Sequence, residues 1–221
     1  MEIHGHQHTR SKPLTLNAQV SAGESCTSVP TYYMHKLPWQ AQEFAAEIRY
    51  YTIDKCRKLL EELLTHYNFF TFEADEDWSS GQRSEYSQQA DTAMSTFRTL
   101  FCEQAAFDSQ SSAQEQLDRS YQHTDGSELL DMMAAWCEVF FAQHEKKDGA
   151  AYTRCEVATA SELRFCVDPL TAPKFSDDKA LLWPLVELVE MGVPSSRVLQ
   201  YVTIVDLPGK LIRGINSSSQ C

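Results

Sequence analysis

The chain has 221 residues, 43% of them hydrophobic, with 19 basic and 31 acidic side chains and a formal net charge of -12. That is enough apolar material for one domain with a substantial core or two small ones, so a wholly disordered chain is excluded. No basic stripe interleaved with aromatics occurs, and nucleic acid is not an expected partner, because holding a phosphate backbone takes concentrated Lys and Arg.

Residues 1–20 are polar, carry Pro13 and read as a flexible tail. His4, His6 and His8 alternate within it and read as solvated rather than as a chelating set. The tail lacks the apolar core of a signal peptide and no apolar run reaches membrane-spanning length, so no membrane segment is expected and the location expected is cytoplasmic, with the nucleus as the alternative. Cys26, Cys56, Cys102, Cys137, Cys155, Cys166 and Cys221 are odd in number and form no CxxC pair, a pattern of reduced thiols rather than of a disulfide framework or a zinc site.

Ser21 to Thr31 is a loop of small residues. Tyr32 to His35 and Phe44 to Tyr51 are extended candidates, two strands of one sheet, although Ala41 to Ile48 also suits a helix. Thr52 caps a helix with apolar positions Cys56, Leu59, Leu60, Leu63, Leu64 and Tyr67 at spacings of three and four. A charged break over Asp75 to Gln82 leads to a second helix, about Ser84 to Cys102, with Tyr86, Ala90, Ala93, Met94, Phe97 and Phe101 on one face. A short helix is expected around Ala113 to Tyr121. Ser127 is the expected cap of an amphipathic helix running to His144, ended by Lys146-Lys147-Asp148-Gly149. Ala158 to Phe165 is ambiguous, and Asp168 to Pro173 reads as a rigid loop. Lys179 to Glu190 reads as a helix interrupted by Pro184, or as one that starts at Trp183-Pro184. Val198 to Val205 reads as a buried strand that ends at Asp206, and Pro208-Gly209 turns the chain after it.

That strand and turn, Val205-Asp206-Leu207-Pro208-Gly209, resemble the third guanine-nucleotide motif of dynamin-like and related large P-loop GTPases. The loop Cys26-Thr27-Ser28-Val29-Pro30-Thr31 resembles the switch threonine region of the same class. Large fungal P-loop GTPase-like proteins are similar in overall pattern: a small-residue CTSV-T loop, an Ala-Glu-Ile strand like Ala46-Glu47-Ile48, a long helical insertion, then Trp-Pro-Leu-Val like Trp183 to Val186. The resemblance implies an α/β fold, an incomplete P-loop GTPase-like domain over 21–209 with a mostly helical insertion at about 52–146, followed by a flexible tail at 210–221. It implies that Thr31, or Thr27 in competition with it, approaches Mg2+ through its hydroxyl and carbonyl. It further implies that Asp206 contacts Mg2+ through water and that the Gly209 amide faces the γ-phosphate. As plain residues, Asp206 is a strand-end or turn cap, and Thr27 and Thr31 are loop residues that cap or turn the chain.

Two parts of that machinery have no counterpart here. There is no GxxxxGK[ST] run to cradle the β- and γ-phosphates, and no Asn/Thr-Lys-x-Asp run to read guanine. Charge-assisted hydrogen bonds are worth about 1.5 to 3 kcal/mol each, so losing three of them weakens nucleotide binding by roughly a thousandfold or more. The expectation is a truncated, GTPase-like remnant that does not hydrolyse nucleotide and takes no cofactor. One alternative is an interaction module whose helices from Thr52 to His144 bind a protein. A second is a GTPase completed in trans, using GTP and Mg2+ with a chain that carries the phosphate loop. A truncated α/β domain exposes sheet edges and helix faces, so the expected partner is another protein covering them. Other constellations are bland: Asp177 with Asp178 and Glu187 with Glu190 read as solvated acids, and Cys56 and His66 lie too far apart along one helix to share a site.

Overall fold

Phe44, Ala46, Ile48 and Tyr50 alternate with Ala45, Glu47 and Arg49, and in the computed structural model the first set enters the main hydrophobic core while the second faces the other way. The structure describes residues 29–74, 77–124, 126–171 and 180–207. Their strands are β1 (Thr31–Met34), β2 (Phe44–Tyr50), β3 (Glu145–Lys147), β4 (Ala150–Val157), β5 (Val186–Gly192) and β6 (Ile204–Asp206). They form a six-stranded sheet in the order β3-β4-β2-β5-β1-β6. Only β1 and β5 run parallel; β2 pairs antiparallel with β4 and β5, β3 with β4, and β6 with β1.

The helices are α1 (Ile53–Phe72), α2 (Ser80–Phe101), α3 (Gln110–Thr124), α4 (Ser127–Phe141) and α5 (Ala160–Thr171). All five contribute buried residues to the core that lies on one face of the sheet, including Leu60, Phe97, Leu117, Met133 and Val167. Tyr50, Phe97 and Phe107 are among the largest fully buried side chains. Burial of each contributes about 1.5–3 kcal/mol relative to exposure.

The other face carries the chain from His35 to Glu43. Gln40 pins it there: its carbonyl oxygen accepts from Leu37 N at 3.0 Å, and its amide donates to Gln42 O at 2.9 Å and Gly192 O at 3.2 Å. Gly192 is required for this approach, since a Cβ there would stand 1.9 Å from Gln40 Oε1. Beside it Glu47, its side chain only 4% exposed, accepts from Arg154 Nε at 2.8 Å and Trp39 Nε1 at 3.0 Å. Arg154 also lies over the Trp39 and Tyr152 rings. A buried carboxylate needs such partners, and here they tie β2, β4 and the covering loop together.

Several expectations hold. Thr52 caps α1 by accepting from Lys55 N at 3.4 Å, and strands form at both positions expected near the start, although β5 separates them. Others are corrected. The cap residue of α4 is Gly126 at φ 82°, and the Ser127 hydroxyl instead donates to Thr124 O at 2.9 Å. Lys146 and Lys147 belong to β3, and Asp148 (φ 54°) with Gly149 (φ 82°) forms the turn of a β3–β4 hairpin that the sequence reading missed.

The C-terminal half differs as well. The stretch read as a rigid loop from Asp168 is the end of α5, with Pro169 inside the helix. The helix expected to reach Glu190 is a 3-10 turn at Trp183–Leu185 followed by strand β5. Val198–Gln200 is another 3-10 turn, and the strand before the Asp-Leu-Pro-Gly motif is the short, exposed β6 rather than a buried one.

Candidate functional site

The two candidate residues that the structure describes, Thr31 and Asp206, are direct cross-strand partners in the β1–β6 pair. Register partners share a face of the sheet, so both side chains stand on the side of the helices, next to Val189 of β5. Pro30 fixes the entry of β1: it has no N–H to offer, and its carbonyl accepts from Val189 N at 2.9 Å. The Thr31 hydroxyl donates to Val29 O at 3.2 Å, and the residue is 2% exposed. Asp206 closes β6 and is half-buried. Thr27 and Gly209 lie outside the described residues, as do His4, His6, His8 and both terminal tails.

Tyr33, two residues along from Thr31, joins them on the same face. Burial pushes its phenol up first, and the Asp206 charge adds to that, while Arg164 of α5 acts in the opposite direction. The corner therefore holds a hydroxyl, a phenol, a carboxylate and a guanidinium. The period of two along β1 was sufficient to find Tyr33. Arg164 had no such signal, because it comes from α5, a segment whose sequence is ambiguous.

A magnesium nucleotide asks more of this corner than the pair supplies. Mg2+ takes six oxygen ligands in near-octahedral order, and the described residues offer one carboxylate and a buried hydroxyl already engaged with Val29. Among the described residues, no group of three or more His, Cys, Asp or Glu is placed to hold a metal ion. As they stand, Thr31 and Asp206 do not fit a bound Mg2+–nucleotide.

The margin of the sheet beyond this corner is apolar. Eight large hydrophobic residues are exposed among those described, and six of them, Val198, Tyr201, Val202, Ile204, Val205 and Leu207, fall in one short stretch around β6. On its outer side β6 pairs with no described strand.

Comparison with protein-family models, with curated proteins and with solved structures gives no match. The chain has a mixed α/β fold with an open sheet and an exposed apolar margin, a feature consistent with a protein-binding surface. No described helix is long and apolar enough to cross a membrane.

Proposed function

We propose that the chain is a GTPase-like α/β module that does not turn over nucleotide by itself and works by engaging a protein along the β6 margin of its sheet. The observation that carries this reading is the concentration of exposed apolar side chains from Val198 to Leu207 around a strand whose outer edge pairs with no described strand. A second polypeptide laid along β6 satisfies its unpaired backbone groups and covers Ile204, Val205 and Leu207 at once. The helices are the weaker candidates for such a surface. The stripes of α1, α2 and α4 that looked available for a partner are committed to the core.

Support for the GTPase-like part comes from Thr31 and Asp206. The family resemblance gives both residues to one Mg2+, and they are neighbours across strands although far apart in sequence. The missing phosphate cradle is the reason for proposing that turnover is absent.

Two measurements test the proposal. Titration of the purified chain with a fluorescent GTP analogue and Mg2+ is expected to show no saturable binding below millimolar concentration. In quantitative affinity capture from cells, a specific protein is expected with the wild-type chain and with Glu61→Lys on exposed α1, but not with Ile204→Lys or Val205→Lys. Equal recovery by wild type and the β6 variants would overturn the docking reading.

A further inference from the structure

Strand β4 and helix α5 are joined by Ala158 and Thr159 alone, so the helix folds straight back over the strand it leaves. Cys155 is the register partner of Ala46, which places it on the helix-bearing face of the sheet. Cys166 lies on α5 between Leu163 and Val167, the two residues by which that helix enters the core. Cys155 and Cys166 thus both belong to the interface in which α5 packs on β4, near enough for each thiol to feel the other. Both are free and only half-buried. Cys56 and Cys137 differ: they are 0% and 2% exposed, sealed from any reagent in the aqueous phase.

We propose that Cys155 and Cys166 are a disulfide-forming pair, oxidised by small-molecule disulfides of the glutathione type, whose closure fastens α5 to β4. In the first step Cys166 loses its proton and its thiolate attacks one sulfur of the reagent. That forms a mixed disulfide, and the expelled thiolate takes up the proton. Cys155 then gives up its proton and attacks the Cys166 sulfur, forming the internal S–S bond and expelling the second small thiol. Two protein thiols lose two electrons, and one reagent disulfide gains them to become two thiols. The order follows from burial, which pushes the Cys155 thiol up to about 11 and suits it to the later, intramolecular attack.

The bond has a structural consequence. Helix α5 carries Arg164, whose charge is felt at Tyr33, together with Phe165, which is 85% exposed. Oxidation fixes that helix over β4 and β2, where it packs.

The test exploits Arg154 and Arg164, since trypsin cleavage after each puts the two cysteines on separate peptides, 155–164 and 165–174. The folded chain is incubated with oxidised glutathione, capped with iodoacetamide and mapped without reduction. The expected product is the 155–164/165–174 cross-link, reversed by dithiothreitol and accompanied by a rise in Tm. Cys155→Ser is expected to stop at a glutathione adduct on Cys166, and Cys166→Ser to give no cross-link. Stable glutathione adducts on both cysteines of the wild type, capping of both, or a cross-link that appears only in denaturant would overturn the proposal.

Discussion

Gln40 and Gly192 work as a lock and its keyway on the outer face of the sheet. Replacing Gly192 with Ala drives a methyl group into the Gln40 carboxamide and breaks its bonds to Leu37, Gln42 and Gly192. At about 1 kcal/mol for each of two bonds not regained, Gly192→Ala is expected to cost about 2 kcal/mol in urea unfolding. Once Gln40→Ala is present the same change is expected to cost much less, because the two residues are coupled. Glu47 supplies a second check at this scale. Glu47→Gln keeps an acceptor for Trp39 and is expected to cost about 1 kcal/mol. Arg154→Ala leaves the buried carboxylate with only Trp39 and the more distant Arg49, 3.9 Å away, and is expected to lower the urea midpoint further.

His144 adds a pH dependence. It lies against Tyr50 and Phe140, and burial holds its imidazole below the usual histidine value. The folded state therefore binds the proton less readily than the unfolded one. Its contribution to stability is complete above the unfolded value of about 6.5 and is lost as pH falls below it toward the folded value. In thermal unfolding at pH 5 and pH 7.5, His144→Gln is expected to narrow the difference in Tm between the two.

At the scale of elements, α1 and the bodies of α2 and α4 were legible in the sequence because their apolar stripes are local, whereas α5 was not. The α2 start was passed over although it carries its own cap inside the stretch read as a break, with Ser79 accepting from Gln82 N and the Gln82 side chain returning to Ser79 N. Strand β4 has no comparable local signal. Tyr152, Arg154 and Glu156 look like a solvated segment until they meet Arg49, Glu47 and the Ala41 amide, partners distant in the chain. Strand β5 misled for another reason: its buried residues are Val186, Val189 and Gly192, a spacing of three that reads as helical.

The β3–β4 hairpin was announced only by Asp148-Gly149, a dipeptide that equally stops a helix. Both residues hold positive φ, and nothing stands within 4 Å of a Cβ at Gly149. Gly149→Ala therefore costs only backbone strain, expected at about 1–2 kcal/mol in urea unfolding. By contrast, Phe107→Ala empties a site between Phe97, Phe101 and Trp136 and is expected to cost about 3–5 kcal/mol.

For the molecule as a whole, the sheet presents two unlike margins. The β3 margin is Glu145-Lys146-Lys147, whose charges discourage further strands. The β6 margin lacks that protection, so Val205→Lys is expected to reduce concentration-dependent association in light scattering while leaving Tm nearly unchanged, since Val205 is exposed. The candidate site was legible only as two separate motifs. Their meeting depends on β6 turning back onto β1 beyond β5, and neither motif carries that information on its own.

The parallel β1–β5 pair also bears on the order in which the chain becomes a fold. The sheet's interior contains strands from opposite ends of the sequence, with the whole helical layer emerging from the ribosome between them. During synthesis the helices can begin to pack, but β2 has no neighbour on its β5 side, and β1 has none at all, until the residues from Val186 onward arrive. Because closing so long a loop precedes the contacts that reward it, the last sixth or so of the chain sets when the protein becomes one cooperative unit.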